Sequence, residues 1–214
     1  MRATLFTIGH STHKLEYFLG LLTKNEIQAV CDVRSVPYSQ HNPQFNREPL
    51  KDQLRTAGIS YVFLGKELGA RSDNPACYIN GKVQYNHLVD EPAFQDGLRR
   101  LRAGIEKFRV AIMCAERDPL TCHRTILVCR ELRSADLRID HILADGGIET
   151  NSAAEQRLMS ITHVRPDMLV SERDCIEQAY ETQARNIAYV VPLQNPERER
   201  RNLQDENFYD RLHQ

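Results

Sequence analysis

The stretch "RVAIMCAERDPLTCHR", residues 109–124, decides how the chain folds. Its first seven residues are the most strand-like run in the sequence. An apolar run of that kind suits a strand buried on both faces, as in a parallel sheet. Asp118-Pro119 then reads as a helix start, an N-cap followed by proline at the first helical position, and the helix runs to about Arg133. Around that junction sit two cysteines, a histidine, a glutamate and two arginines.

Working outward, residues 3–8, 27–33, 59–64 and 138–143 read as further buried strands. Helical patterns lie between them. Leu15, Phe18, Leu19 and Leu22 share one face behind an N-cap at Ser11 or Thr12. Residues 47–57 look helical and stop at Gly58. Residues 92–107 place Phe94, Leu98, Leu101 and Ile105 on one face, and Asn80-Gly81 reads as the turn of a small hairpin. Strands alternating with helices predict an α/β fold: a three-layer, Rossmann-like, mostly parallel sheet with helices on both faces. The core domain is expected over residues 1–148. A helical and charged C-terminal extension follows over residues 149–214, with helices near 152–161 and 171–187. Its end, "NPERERRNLQDENFYDRLHQ", reads as an interaction arm or a layer on the core.

A chain of 214 residues can bury a core without disulfide help. Net charge is −1, so no global field draws the protein onto nucleic acid or an anionic membrane, although a local basic patch would suffice. No run approaches 18 apolar residues, and the start lacks the layout of a signal peptide. The expectation is a cytoplasmic protein with no membrane partner, its six cysteines reduced and unpaired.

In such a sheet, ligands bind beyond the carboxyl ends of the strands. The first strand ends in His10 and Ser11, the second in Asp32 and Arg34, the third in "LGKELGAR" with Arg71, and the fourth in the opening stretch. Helix starts after Ser11 and Asp118, together with Arg34, Arg71, Arg117 and Arg124, make this rim fit for an anion. Arg124 is expected at the centre of that anion site, or else bracing the loop against Glu116 or Asp118. Asp32 and Glu116 could act as acid, base or metal ligand, and His10 and His123 are further acid–base candidates. Asp32 and Arg34 could equally be a plain ion pair. Cys122, in the first turn of the expected helix, and Cys114 are thiol candidates, although packing accounts for most buried cysteines. A metal held by Cys114, Cys122, His123 and His10 can be drawn. No metal is expected, because C-x7-C-H is no usual zinc spacing and adjacent helical residues point about 100° apart.

The stretches "TIGHS", "DVRSVPYSQHNPQFN", "LGKELGAR" and "MCAERDPLTCHR" together resemble the bacterial and archaeal family called Domain of Unknown Function 488, over about residues 4–145. The resemblance places His10, Ser11, Asp32, Arg34, Pro37, Ser39, Gly65, Gly69, Glu116, Cys122, His123 and Arg124 at motif positions. It implies no reaction and no cofactor. Three functions are therefore carried forward. The first is an enzyme, a hydrolase or transferase, acting on a phosphate-bearing nucleotide or nucleic-acid-type substrate. There Asp32, Glu116, His10 and His123 would do the chemistry, and Ser11, Arg34, Ser39, Gly65, Gly69, Arg71 and Arg124 would hold the anion. The second is a non-catalytic nucleotide or nucleic-acid binding module. The third is thiol or metal-dependent chemistry at Cys114, Cys122 and His123. The partner is an anionic small molecule or a nucleic acid, and a homodimer stays open.

Overall fold

The computed structural model describes residues 3–166 and 170–192. The charged tail read as an interaction arm lies outside the described residues. Six strands form one sheet: β1 (Ala3–Gly9), β2 (Ala29–Asp32), β3 (Ser60–Phe63), β6 (Val110–Cys114), β7 (Leu137–Ile142) and β8 (Ile148–Thr150). Their order is β3-β2-β6-β1-β7-β8, parallel throughout except for β8, which runs antiparallel to β7. The short strands β4 (Tyr78–Ile79) and β5 (Lys82–Val83) make the separate hairpin expected at Asn80-Gly81. Both turn residues have positive φ, 50° and 73°, as a two-residue hairpin turn requires.

Side chains alternate across the sheet, so each central strand feeds two cores. Leu5, Ile112 and Cys114 face one core, while Phe6, Ile8, Ala111 and Met113 face the other. The second core is closed by α1 (Leu15–Lys24) and α2 (Arg47–Thr56) through Phe18, Leu22, Leu50 and Leu54. The first is closed by the short α3 (Gly65–Leu68) and α4 (Tyr85–Val89), by α5 (Pro92–Ile105), and by the helices that follow β7, α7 (Asn151–Ile161) and α8 (Glu172–Ile187). Leu98, Leu101, Leu158, Ala179 and Tyr180 are buried there. The expected three-layer α/β architecture therefore holds, and the extension's helices contribute directly to one core. Among the described residues no helix is long and apolar enough to cross a membrane.

Two helix starts differ from the sequence reading, and both differences bear on the rim. The α1 helix begins at Leu15, not after Ser11. The N–H groups of His10 and Ser11 extend the sheet ladder onto the carbonyls of Cys114 and Ala115, at 3.0 and 2.9 Å, which holds Ser11 at φ 48° and delays the helix. The second helix does not run unbroken from Asp118. Asp118 caps only the 3-10 turn Pro119–Thr121. Cys122 is extended, at φ −133° and ψ 140°. The helix resumes behind it as a π-helical run, Arg124–Cys129, leading into α6 (Arg130–Leu132).

One buried group makes stability depend on pH. Thr7 donates its hydroxyl to His141 Nδ1 at 2.9 Å, and His141 Nε2–H donates to Asn151 Oδ1 at 3.2 Å, so the ring is held neutral. Burial first, then the charge of Arg124, lowers its pKa to about 4, against the opposing pull of Asn151, Glu149 and Asp140. The unfolded chain takes up this proton near pH ~6.5. The histidine's contribution is therefore complete above pH ~6.5 and is lost as pH falls toward about 4. Chemical denaturation across that window should show a decline of up to ~3 kcal/mol from this group. His141→Asn should flatten the slope, whatever it does to the plateau.

Candidate functional site

The central strands β2, β6 and β1 end side by side, with Gly9 paired to Cys114 and Asp32 to Met113. Two clusters grow from this edge. The first is a salt-bridged network around Arg34. Asp32 is fully buried and receives Arg34 Nε–H at 2.9 Å, Arg34 Nη2–H at 2.6 Å and the Tyr61 hydroxyl at 2.7 Å. Arg34 also donates to the Phe45 carbonyl at 2.9 Å and to His10 Nε2 at 3.1 Å. His10 can accept there because its Nδ1–H donates to the Ser11 carbonyl at 2.9 Å. The ring stacks on Phe45 with centroids 4.3 Å apart. Burial, followed by the neighbouring Arg34, lowers the His10 pKa to about 4. His10 is thus a neutral spacer that fixes Arg34.

The second cluster gathers Cys114, Glu116, Cys122 and His123, whose ligand-type atoms all lie within 4.8 Å of one another. His123 Nε2–H donates to the Val33 carbonyl at 2.9 Å, so in the neutral ring Nδ1 keeps its lone pair on the side of the two sulfurs. Nδ1 is 3.6 Å from Cys114 Sγ and 4.0 Å from Cys122 Sγ. Cys122 Sγ lies 2.9 Å from Glu116 Oε2, and the Arg124 N–H donates to Cys122 Sγ at 3.4 Å. Burial and the neighbouring Cys122 push the Glu116 carboxyl up. Burial opposes ionisation of Cys122, but a hydrogen bond from Cys114 and the charge of Arg124 outweigh it and hold this thiol well down. Burial first, then Cys122, pushes Cys114 well up, while Cys122 and Glu116 raise His123 despite its burial.

The objection to a metal assumed that Cys122 and His123 sit on one helix. Because Cys122 is extended and His123 already helical, both side chains can turn to the same point. Glu116 takes the place that the sequence reading gave to His10.

The remaining rim residues brace this floor. Arg124 is wholly buried, with its guanidinium on the carbonyls of Glu116 and Arg117 at 2.8 and 3.4 Å. It holds the loop through backbone, not through a carboxylate; Asp118 pairs instead with Arg157 at 2.8 Å. Ser39 closes its own loop: its N–H bonds to Asn46 Oδ1, and its hydroxyl accepts from the His41 N–H. Gly65 permits a close approach, since a Cβ there would lie 2.0 Å from the Arg34 carbonyl, and Gly69 packs on Ser35 in the same way. Sequence reasoning passed over Gly9, whose Cβ would lie 1.8 Å from the Glu116 carbonyl. Its sequence signals are its place at a strand end and in "TIGHS".

Above the second cluster lies a cleft of about 280 Å³. Cys114, Glu116 and His123 form its floor, and Arg34, Arg71, Tyr85 and Tyr189 are among its walls. Asp32, His10 and Arg124 stand behind this surface. Tyr189 comes from beyond α8 and was not foreseen. The segment it opens bridges to the hairpin at Lys82 and Val190: Val83 N–H donates to the Tyr189 carbonyl at 2.9 Å, and Val191 N–H to that of Gly81 at 2.8 Å.

Asp32→Asn should cost ~3–5 kcal/mol in urea denaturation, because it leaves Arg34 buried without its counter-charge. Tyr61→Phe, which removes one hydrogen bond to the same carboxylate, should cost ~1.5–3 kcal/mol. Equal, small costs for the two would show that the network is not a buried ion pair at all.

No curated protein and no solved structure matches the chain. The family model described as "Domain of unknown function DUF488" matches residues 14–130, more than half of the chain and including all four members of the second cluster. The chain therefore belongs to the DUF488 family.

Proposed function

We propose that the protein is a metal-dependent enzyme of the hydrolytic class, with a zinc-type ion held by Cys114, Cys122 and His123 and with Glu116 facing the cleft. The observation that carries this reading is the convergence of two thiols, an imidazole nitrogen and a carboxylate within 4.8 Å. Thiolate and imidazole ligands suit zinc, whose bonds of ~2.0–2.3 Å give tetrahedral edges of roughly 3.3–3.8 Å. The 3.6 and 4.0 Å sulfur–nitrogen separations are close to such edges.

The surroundings support the same reading. A metal-bound histidine usually donates its other N–H to a carbonyl or carboxylate, as His123 does to Val33. The Arg124 N–H steadies the Cys122 sulfur. Two thiolates and a carboxylate around a divalent ion leave one excess negative charge. Arg124, wholly buried and with its Nε lacking a partner among the described residues, is placed to balance it. When bound, such an ion supplies Lewis-acid activation of water or of a carbonyl. The chain's own part is to fix three ligands rigidly and to keep Glu116, on the cleft side, able to leave the ion or to hold a proton. Tyr85 stays a neutral O–H donor in the cleft wall, since burial and then the nearby Cys122 push its phenol up.

Elemental analysis of protein purified from zinc-supplemented medium should find about one zinc per chain, as for a three-to-four-ligand site. Cobalt substitution should give a thiolate-to-cobalt charge-transfer band that Cys114→Ser and Cys122→Ser each weaken and that the double substitution abolishes. Glu116→Gln should retain the ion. Stable, folded protein with no stoichiometric metal and no cobalt band would sink the reading.

A further inference from the structure

Arg34 carries five N–H groups, and four of them are accounted for. Nε–H and one Nη2–H go to Asp32, the second Nη2–H goes to the Phe45 carbonyl, and one Nη1–H goes to His10. The fifth, on Nη1, belongs to a side chain that is 7% exposed, in a residue that lines the cleft. A guanidinium held by four hydrogen bonds to three partners cannot turn away, so its remaining donor is fixed in place before any ligand arrives.

A second cation stands in the same cleft. Arg71 is exposed, and its guanidinium lies 4.1 Å from the centroid of the Tyr189 ring. No salt bridge to Arg71 occurs among the described residues. Stacking on an aromatic face holds a guanidinium in place and leaves its N–H edge open. The one carboxylate among the cleft residues, Glu116, is turned to Cys122. The two guanidinium groups thus give this cleft cationic donors beside the neutral Tyr85 hydroxyl, and its acidic group is already engaged.

We propose that the cleft takes a small substrate ending in a carboxylate or phosphate, which docks between the open Nη1–H of Arg34 and the guanidinium of Arg71. Tyr189 is a positioning residue that holds Arg71. The volume of about 280 Å³ limits the enclosed part to a small group, because clefts that bury larger organic ligands run to ~300–1,000 Å³. The proposal deepens the metal-centre reading: an anion fixed at this wall would present its neighbouring bond to the Cys114–Glu116–His123 floor.

Calorimetric titration of the full-length, zinc-analysed protein tests the idea, with inorganic phosphate and acetate as probes and acetamide as the neutral match for acetate. At least one anion should bind at millimolar concentration or below, and acetamide should give no heat. Arg71→Met should weaken binding about tenfold or more, the scale of a charge-assisted hydrogen bond, with zinc content unchanged. Tyr189→Ala should weaken it less, by loosening Arg71. Arg34→Lys should also weaken it, and a melting curve will show whether that variant folds; Arg71→Met, at the exposed wall, tests the proposal even if it does not. Metal-replete protein that binds neither anion, or that binds them equally well after Arg71→Met, overturns the inference and leaves the metal centre standing. Anion binding that depends on Arg71 in protein devoid of metal keeps the inference and removes the metal centre.

Discussion

The buried pair of Asp32 and Arg34 is the constraint on which the site is built. An ion pair taken out of water recovers its desolvation cost only when its remaining donors and acceptors are satisfied. Here that requirement recruits three other segments: Tyr61 from β3, His10 from the end of β1, and the Phe45 carbonyl from the 3-10 turn before α2. Each was drawn in by a specific unsatisfied group. The result is that the backbone from Asp32 to Ser35 has one available path. Its Val33 carbonyl is then where His123 needs an acceptor, and its Arg34 carbonyl runs so close to Gly65 that only glycine fits there. The ion pair thus fixes the tautomer of a histidine that belongs to a different cluster.

The parallel sheet supplies the rest of the convergence. Parallel neighbours bring like ends together, and β6, inserted between β2 and β1, puts Met113 beside Asp32 and Cys114 beside Gly9. After β6 the chain cannot go straight into a helix, because Glu116 and Arg117 must give their carbonyls to Arg124. The loop closes back on itself, and Cys122 is left extended with its sulfur over the start of the next helical run. An unbroken helix from Asp118 would have sent Cys122 and His123 about 100° apart. The break at Cys122 is what makes one cluster of the four donors.

The parts of this structure that the sequence displays are those governed by local rules. The apolar runs became strands, Gly58 ends α2 at φ 74°, and Asn80-Gly81 turns a hairpin. The strand-end rule pointed to the edge where β2, β6 and β1 end side by side, and the resemblance named the family whose model matches residues 14–130. The features that were not legible are all settled by contacts distant in sequence. Ser11 looks like an N-cap until the ladder to Ala115 claims its N–H. Asp118-Pro119 is a sound start signal, but only for three residues, because a buried arginine pulls the loop back. Glu116 and His10 are equally plausible ligands on paper. What separates them is that His10 Nε2 already accepts from Arg34, an interaction across 24 positions. Four rim arginines looked alike in the sequence as well, yet Arg124 is an internal brace, Arg34 a clamped donor and Arg71 an open cation, while Arg117 enters only through its carbonyl, which accepts from Arg124.

The floor and the walls of the cleft come from different parts of the chain, and that division has consequences. Cys114, Glu116, Cys122 and His123 all fall within the matched range of residues 14–130, whereas Tyr189 lies far outside it. Tyr189 is attached through backbone hydrogen bonds to the β4-β5 hairpin and through its ring to Arg71. Backbone pairing to a hairpin edge asks little of side-chain identity, so the residue that faces the cleft is free to differ without disturbing the sheet. The floor has no such freedom, because each of its groups is held by an element of the core. A chain built this way can retain one chemical centre while its extension sets which molecules reach it, and in this chain the residue so placed is an aromatic ring that holds a cation at the cleft wall.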